Sequence, residues 1–186
     1  PVLIESIIFN DGRVQAGASP YGLSRYEWMN GPWTYSGFDG ESTFTFESKG
    51  DTLYAGTSLG IFKSDNNGTS RNQLNISNPA NITDAFHIAY QDSNMIASTF
   101  SSNILISFDY GSTWTAKGAA GGLSGQLTTT VAFAGSNMIT GTISDGIFLS
   151  SDNGDTWTQV SVAGVGIFDM LKIGNRLVAS TFTANG

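Results

Sequence analysis

The sequence predicts an all-β protein, about four and a half copies of a four-stranded antiparallel unit forming one repeat array over residues 1–186. Three observations predict it. A Ser-x-Asp-x-Gly-x-Thr-Trp stretch occurs twice, ending at Trp114 and at Trp157, 43 positions apart. A short apolar strand, a tight turn and a second strand ending in a small residue recur five times. No segment keeps apolar residues at i, i+3, i+4 and i+7 without a glycine or turn cluster intervening, so no long amphipathic helix is expected.

The five turns are Asp11-Gly12, Lys49-Gly50-Asp51, Asp92-Ser93-Asn94, Gly135-Ser136-Asn137 and Gly174-Asn175, all of hairpin chemistry. The small residues that follow them are Gly17, Gly56, Ser98, Gly141 and Ser180, spaced 39, 42, 43 and 39 apart. An average period near 41 with four strands per unit is the signature of β-propeller blades. With strands labelled A to D, the blades cover about 5–38, 41–76, 83–118 and 127–162. A half blade at 167–183 holds strands A and B only.

A blade hides its faces against two neighbours, so a ring must close or leave apolar end faces wet. The N-terminus starts directly at a strand A and cannot donate the missing C and D strands. An incomplete ring is therefore expected, completed by further polypeptide beyond Gly186 or by another chain, continuation being the preferred reading. The opening Pro1-Val2-Leu3-Ile4 lacks both Met and a signal peptide and reads as a processed or excised chain.

Ser107, Asp109, Gly111, Thr113 and Trp114 form one copy of the turn motif, and Ser150, Asp152, Gly154, Thr156 and Trp157 the other. The carboxylate is placed to accept turn N–H groups, the glycine permits positive φ, and the indole is placed to bury beneath the turn. This pattern resembles the Asp-box, or bacterial neuraminidase repeat. The resemblance implies propellers like those of sialidases, xyloglucan-cleaving glycoside hydrolases, sortilin-type receptors and many secreted bacterial proteins. Blade two departs from it, with Asn66 for Asp and Arg71 for Trp. Blade one keeps only Trp33-Thr34 in register. Both are expected to have lost the staple or exchanged it for other packing. A calcium loop at Asp152-Asn153-Gly154-Asp155 is the functional alternative, but it lacks EF-hand spacing and a terminal Glu.

Composition narrows the function. A net charge of −7 with only 8 Lys and Arg leaves no basic surface for nucleic acid or an anionic membrane. With 0 Cys and 1 His, neither a thiolate metal site nor a Cys/His nucleophile pair can be assembled. No apolar run approaches the ~18 residues of a membrane span. No cofactor or metal is expected.

In such a blade the D→A and B→C connections share one edge, where propeller ligands usually meet. A sialidase needs three convergent Arg, but Arg13 and Arg176 fall at A→B turns, Arg25 in a strand and Arg71 in the second box. Glu5, Asp84 and Asp169 lie near A-strand starts and are weak catalytic candidates, since a glycoside hydrolase needs two carboxylates roughly 5–10 Å apart. Glu41, Asp39 and Asp145 also fall beside that edge, and their plain reading is solvated loop charge. His87 lies in an alternating strand and reads as packed or channel-lining. The densest aromatic cluster is Tyr26, Trp28, Trp33, Tyr35 and Phe38, the first four being the candidate ligand-binding surface; its plain reading is cover for blade one. Three glycosylation sequons begin at Asn67, Asn75 and Asn81 and matter only in a eukaryotic secretory pathway. The expected function is a non-catalytic extracellular recognition or scaffold module of a larger secreted or surface protein, its style bacterial, with a glycan or protein ligand. The alternative is a fragment of a propeller glycoside hydrolase using carboxylates at the channel face.

Overall fold

The structure, a computed structural model, describes residues 3–10, 13–19, 22–27, 34–35, 41–66, 68–74, 76–77, 84–100, 103–161, 163–174 and 176–182. The chain divides into two compact units, Pro1–Leu74 with Thr83–Ile88, and Asn75–Ile82 with Ala89–Gly186.

In the first unit, β1 (Leu3–Asn10), β2 (Arg13–Ser19), β3 (Gly22–Glu27) and β4 (Thr34–Tyr35) pair in sequence order as one antiparallel sheet. β5 (Thr43–Lys49), β6 (Thr52–Thr57), β7 (Gly60–Ser64) and β8 (Asn72–Gln73) repeat the arrangement. Successive hairpin-connected strands need no crossover, so each sheet is a simple meander.

A third sheet runs β10–β11–β12–β13–β9, from β9 (Ile76–Ser77), β10 (His87–Gln91), β11 (Asn94–Ser98), β12 (Ile104–Ser107) and β13 (Trp114–Lys117), all in the second unit but for His87 and Ile88. β14 (Thr128–Ala134), β15 (Asn137–Thr142), β16 (Ile147–Ser150) and β17 (Thr158–Gln159) form the next sheet. β18 (Gly166–Ile173) and β19 (Arg176–Phe182) form a two-stranded one. β9 falls where blade two was expected to end, at residue 76, and its connection to blade three to begin. It adds instead as a parallel edge strand on β13, Trp114 opposite Ile76, satisfying backbone groups that an edge would leave bare. Among the described residues the single helical element is the 3-10 turn Ala119–Gly121.

The hairpin turns are two residues long. Gly50, Asp92, Gly135 and Gly174 hold φ of 59°, 56°, 63° and 58° at the first turn position. Such a turn matches the twist of the strands it joins.

The recurring small residue has a packing cause. A Cβ built on Gly17 would stand 2.7 Å from the Thr43 carbonyl oxygen, and one on Gly141 2.6 Å from Ile167 Cγ2. On Gly56 it would meet the Ala85 carbonyl at 2.5 Å. Each glycine thus takes the start of the following sheet's first strand directly on its backbone. Where serine stands in its place, Ser98 Oγ donates to the Thr129 carbonyl at 3.0 Å.

One core lies in the second unit. Ile96, Ile104, Ile106, Leu123, Val131, Phe133, Met138, Phe148 and Trp157 pack together, joining the faces of successive sheets. Leu123 is fully buried and the Trp157 N–H donates to the Gly121 carbonyl at 2.6 Å. The segment around Gly118–Leu123 is therefore core packing.

Both boxed turns place a non-glycine residue in the left-handed region, Tyr110 at φ 56° and Asn153 at φ 59°. Asparagine tolerates that conformation; a ring-bearing residue pays about 1 kcal/mol more. Tyr110 is exposed, and its backbone N–H bond to the Ser93 carbonyl (2.9 Å) survives substitution. Tyr110→Asn is expected to stabilise the protein by about 0.5–1 kcal/mol, read as a rise in the thermal midpoint. An unchanged or lower midpoint counts against the strain.

Candidate functional site

Within a four-stranded sheet the antiparallel order puts the turns after the first and third strands at one end. The start of the first strand, with the second-to-third connection, lies at the other. The two ends are built differently.

The turn end carries the clasps. In the third sheet, Ser107 Oγ donates to Asp109 Oδ1 (2.8 Å) and accepts the Gly111 N–H (2.9 Å). The Thr113 N–H and hydroxyl donate to Asp109 Oδ1 and Oδ2 at 2.8 and 2.6 Å, and Trp114 Nε1 donates to the Gly111 carbonyl at 2.9 Å. Ser150, Asp152, Gly154, Thr156 and Trp157 reproduce every one of these bonds. The hydroxyl and N–H of the threonine, then the serine, hold each Asp carboxyl down at about 2.

Blade two corrects the expectation that it had lost the staple. Asn66 Oδ1 accepts from Ser64 Oγ (3.0 Å) and the Ser70 N–H (2.8 Å), and the Gly68 N–H still donates to Ser64 Oγ (2.8 Å). Asn66 Nδ2 donates to Ser70 Oγ at 2.9 Å, so the hydroxyl has only reversed its role. The indole alone is missing, and Arg71 at its place is exposed. The calcium alternative meets a competitor: Lys117 Nζ lies 2.7 Å from Asp155 Oδ1 and 3.2 Å from the Asn153 carbonyl, supplying that turn with a cation.

The other end carries a repeated irregularity. β1, β5, β14 and β18 each shift register against their partner strand near their start, between Ile4 and Ser6, Thr43 and Thr45, Thr128 and Thr130, and Ile167 and Asp169. The extra residues are Glu5, Phe44, Thr129 and Phe168. A bulge re-aims one side chain without disturbing the rest of the ladder. In the first unit Glu5 is exposed, and Phe44 stacks on Phe86 with centroids 4.5 Å apart and planes 18° apart. In the second unit Thr129 Oγ1 donates to the Ile167 carbonyl (2.6 Å) while Phe168 is 75 % exposed.

The carboxylates singled out from sequence occupy three different register positions. Glu5 is itself the bulged residue. Asp84 is half-buried, next to Ala85, whose N–H donates to the Thr57 carbonyl at 2.9 Å. Asp169 follows a bulge, and its Oδ1 accepts the Met170 N–H (2.7 Å) and Thr130 Oγ1 (3.3 Å). It orders the bulged backbone. His87 opens β10 and is half-buried. Tyr26 lies on β3 opposite Val14, and Tyr35 on β4 opposite Ser24. Trp28, Trp33, Asp39 and the sequon residues Asn67, Asn75 and Asn81 lie outside the described residues, as do the side chains of Tyr26 and Tyr35. Among the described residues no group of three His, Asp or Glu could hold a metal ion, and no helix is long and apolar enough to cross a membrane.

Sequence reasoning passed over Glu47. Burial pushes its carboxyl up to about 7, against a weaker opposing bond from the Ser48 backbone. Aligning the repeats by register exposes it, because the matching positions are Ile8, Ala132 and Leu171. The bulged phenylalanines were passed over too, since nothing in a strand's composition announces a bulge.

No family model matches the chain, and no curated protein is significantly similar to it. Solved structures are similar in fold. A GH74 enzyme from Niastella koreensis superposes with a TM-score of 0.72 at 16 % identity, over 98 % of this chain and 33 % of that one. The fold is that of a β-propeller. The propeller YCF48, solved with a D1 peptide bound, gives 0.67 at 13 % identity over 96 % of this chain and 61 % of its own. The extracellular domain of a hybrid two-component system from B. thetaiotaomicron gives 0.72 at 15 %, over 96 % and 25 %. The chain thus spans between a quarter and about three fifths of the length of these propellers.

Proposed function

We propose that this chain is a non-catalytic recognition or scaffold module of a larger secreted or surface protein, holding a glycan or protein ligand at the first-strand bulges of its blades. One observation carries the reading. The same backbone irregularity recurs in four sheets while the residue it re-aims changes from Glu5 to Phe44, Thr129 and Phe168. A constant frame presenting variable side chains suits selective contact, and aromatic rings suit apolar sugar faces and peptide side chains. Asp169 spends an oxygen on its own backbone, which favours recognition over the hydrolase alternative.

Three further features belong to this reading. The turn clasps act as structural staples of Asp-box type. The location is extracellular or at a cell surface. The rest of the propeller comes from more of the same polypeptide or from another chain. The test is a glycan array and a peptide array probed with the wild type, Phe44→Ala and Phe168→Ala. Each substitution is expected to weaken the strongest signals about tenfold or more, equivalent to roughly 1.4 kcal/mol, the scale of a single hot-spot ring. Equal binding by all three proteins removes the bulges as the binding surface. Hydrolysis of any arrayed glycan that is lost in Asp84→Ala or Asp169→Ala instead supports the enzyme reading.

A further inference from the structure

We propose that the second sheet keeps an indole socket beneath its clasp without a tryptophan to fill it, and that the socket binds a small flat aromatic molecule of the indole class. The inference stands on the clasps and is independent of the bulges, which lie at the opposite end of the strands.

Strand register makes three clasps comparable position by position. Ser64, Ser107 and Ser150 stand opposite Leu53, Met95 and Met138. Two residues earlier, Phe62, Leu105 and Phe148 stand opposite Ala55, Ala97 and Thr140. Each serine oxygen accepts the N–H of the clasp glycine, Gly68, Gly111 or Gly154. The three glycines share one backbone conformation, with φ of 82°, 74° and 82°. Arg71, Trp114 and Trp157 then occupy the same position.

In the fourth sheet Trp157 shares a cluster with Met138 and Phe148, and its Nε1 donates to the Gly154 carbonyl at 3.1 Å. Trp114 Nε1 donates to the Gly111 carbonyl at 2.9 Å. The second sheet retains the counterpart of every one of these partners: Leu53 for Met138, Phe62 for Phe148, and Gly68 for the glycine that takes the indole N–H. What it lacks is the ring, since Arg71 at that position is exposed. In the ring's place lies a cavity bordered by Leu53, Ala55, Phe62, Ser64, Gly68 and Arg71.

The walls are fixed before any ligand arrives. Leu53, Ala55 and Ser64 are buried on paired strands, and the Ser64, Asn66 and Gly68 bonds hold the turn in its clasped form. A site that is already ordered spends little of its binding energy on ordering itself. Apolar walls with one placed polar group are the common make-up of small-molecule sites. An indole meets both demands, laying its ring against Leu53 and Phe62 and donating its N–H to the Gly68 carbonyl. An aliphatic molecule of the same size meets only the first. The way in is past Arg71, whose long exposed side chain borders the cavity and turns outward as the ring enters.

Titration of the 186-residue chain with indole, followed by the methyl NMR signals of Leu53 and Ala55 and by the thermal midpoint, tests this. The wild type is expected to show saturable shifts at both methyl groups, with a dissociation constant on the order of 1 mM or below, and a midpoint that rises with ligand. Arg71→Ala, which opens the mouth of the socket, is expected to bind at least as tightly. Arg71→Trp supplies the ring from the chain itself: it is expected to melt higher than the wild type without ligand and to lose the response to indole. Circular dichroism checks that both variants fold. N-methylindole, which lacks the N–H, is expected to bind more weakly than indole. A wild type with no saturable shift at Leu53 and Ala55, an Arg71→Ala variant that loses it, an Arg71→Trp variant that keeps it, or equal affinity for N-methylindole overturns the proposal. Array signals that fall in Phe44→Ala or Phe168→Ala and persist in Arg71→Trp belong to the recognition reading, so the two stand or fall separately.

Discussion

Trp157→Ala is expected to lower the unfolding free energy by about 3–5 kcal/mol, the range for removing a buried large aromatic from a core. Trp157 is 5 % exposed and shares a cluster with Leu123, Phe133 and Phe148. Its Nε1 donates to the Gly154 carbonyl at 3.1 Å and its backbone N–H to the Gly121 carbonyl. Alanine keeps the backbone bond, drops the indole bond and leaves a cavity that sheet packing cannot close, because the ladders fix the walls. Since whole domains are stable by roughly 5–15 kcal/mol, one such change consumes a large fraction.

The same argument applies to Trp114, 1 % exposed. Arg71 sharpens the test, because it stands at the indole position of a clasp whose polar bonds are intact. Trp114→Arg copies that natural state into the third sheet. It is expected to destabilise by as much as the alanine change while leaving the Ser107–Asp109 turn formed. Denaturant midpoints measure the loss. A shift below about 1 kcal/mol, the scale of a surface substitution, would show that the ring is cover and not core.

The second large effect is a pH dependence centred on Glu47. Its folded value, about 7, lies above the 4.5 of an unburied carboxyl. A raised folded value means the folded state holds the proton more tightly than the unfolded chain. The associated stability is complete below about pH 4.5 and is lost as pH rises through about 7. The shift corresponds to about 3 kcal/mol once both states are ionised. Across the sheet Tyr54 stands opposite Glu47, and Lys63, opposite Tyr54, pairs with Asp65 at 3.0 Å. Unfolding free energy is therefore expected to fall by up to about 3 kcal/mol between roughly pH 4.5 and pH 8. Glu47→Gln should flatten that limb and exceed the wild type in stability at the upper end. A wild-type profile that is flat there, or a limb that persists in Glu47→Gln, would refute the assignment to this residue.

The repeat was legible because its markers act locally. A two-residue turn demands Gly, Asn or Asp from its own dipeptide. A strand that must take its neighbour's backbone at one point must be small there, as Gly17, Gly56 and Gly141 are. Trp114 and Trp157 announce themselves by size and spacing. Those constraints determined, from sequence alone, an all-β array of four-stranded propeller blades with a period near 41 residues.

Tertiary structure alone decided the rest, because it depends on register and partners across strands. Asn66 keeps its clasp since an amide can present the same oxygen as a carboxylate, a fact of geometry hidden by a mismatch of letters. Ile76 and Ser77 become an edge strand only because β13 has an unpaired side to fill. Phe44 and Phe168 are re-aimed by bulges that exist only relative to a partner strand. Glu47 is an ordinary acidic residue until burial in the folded sheet raises its carboxyl.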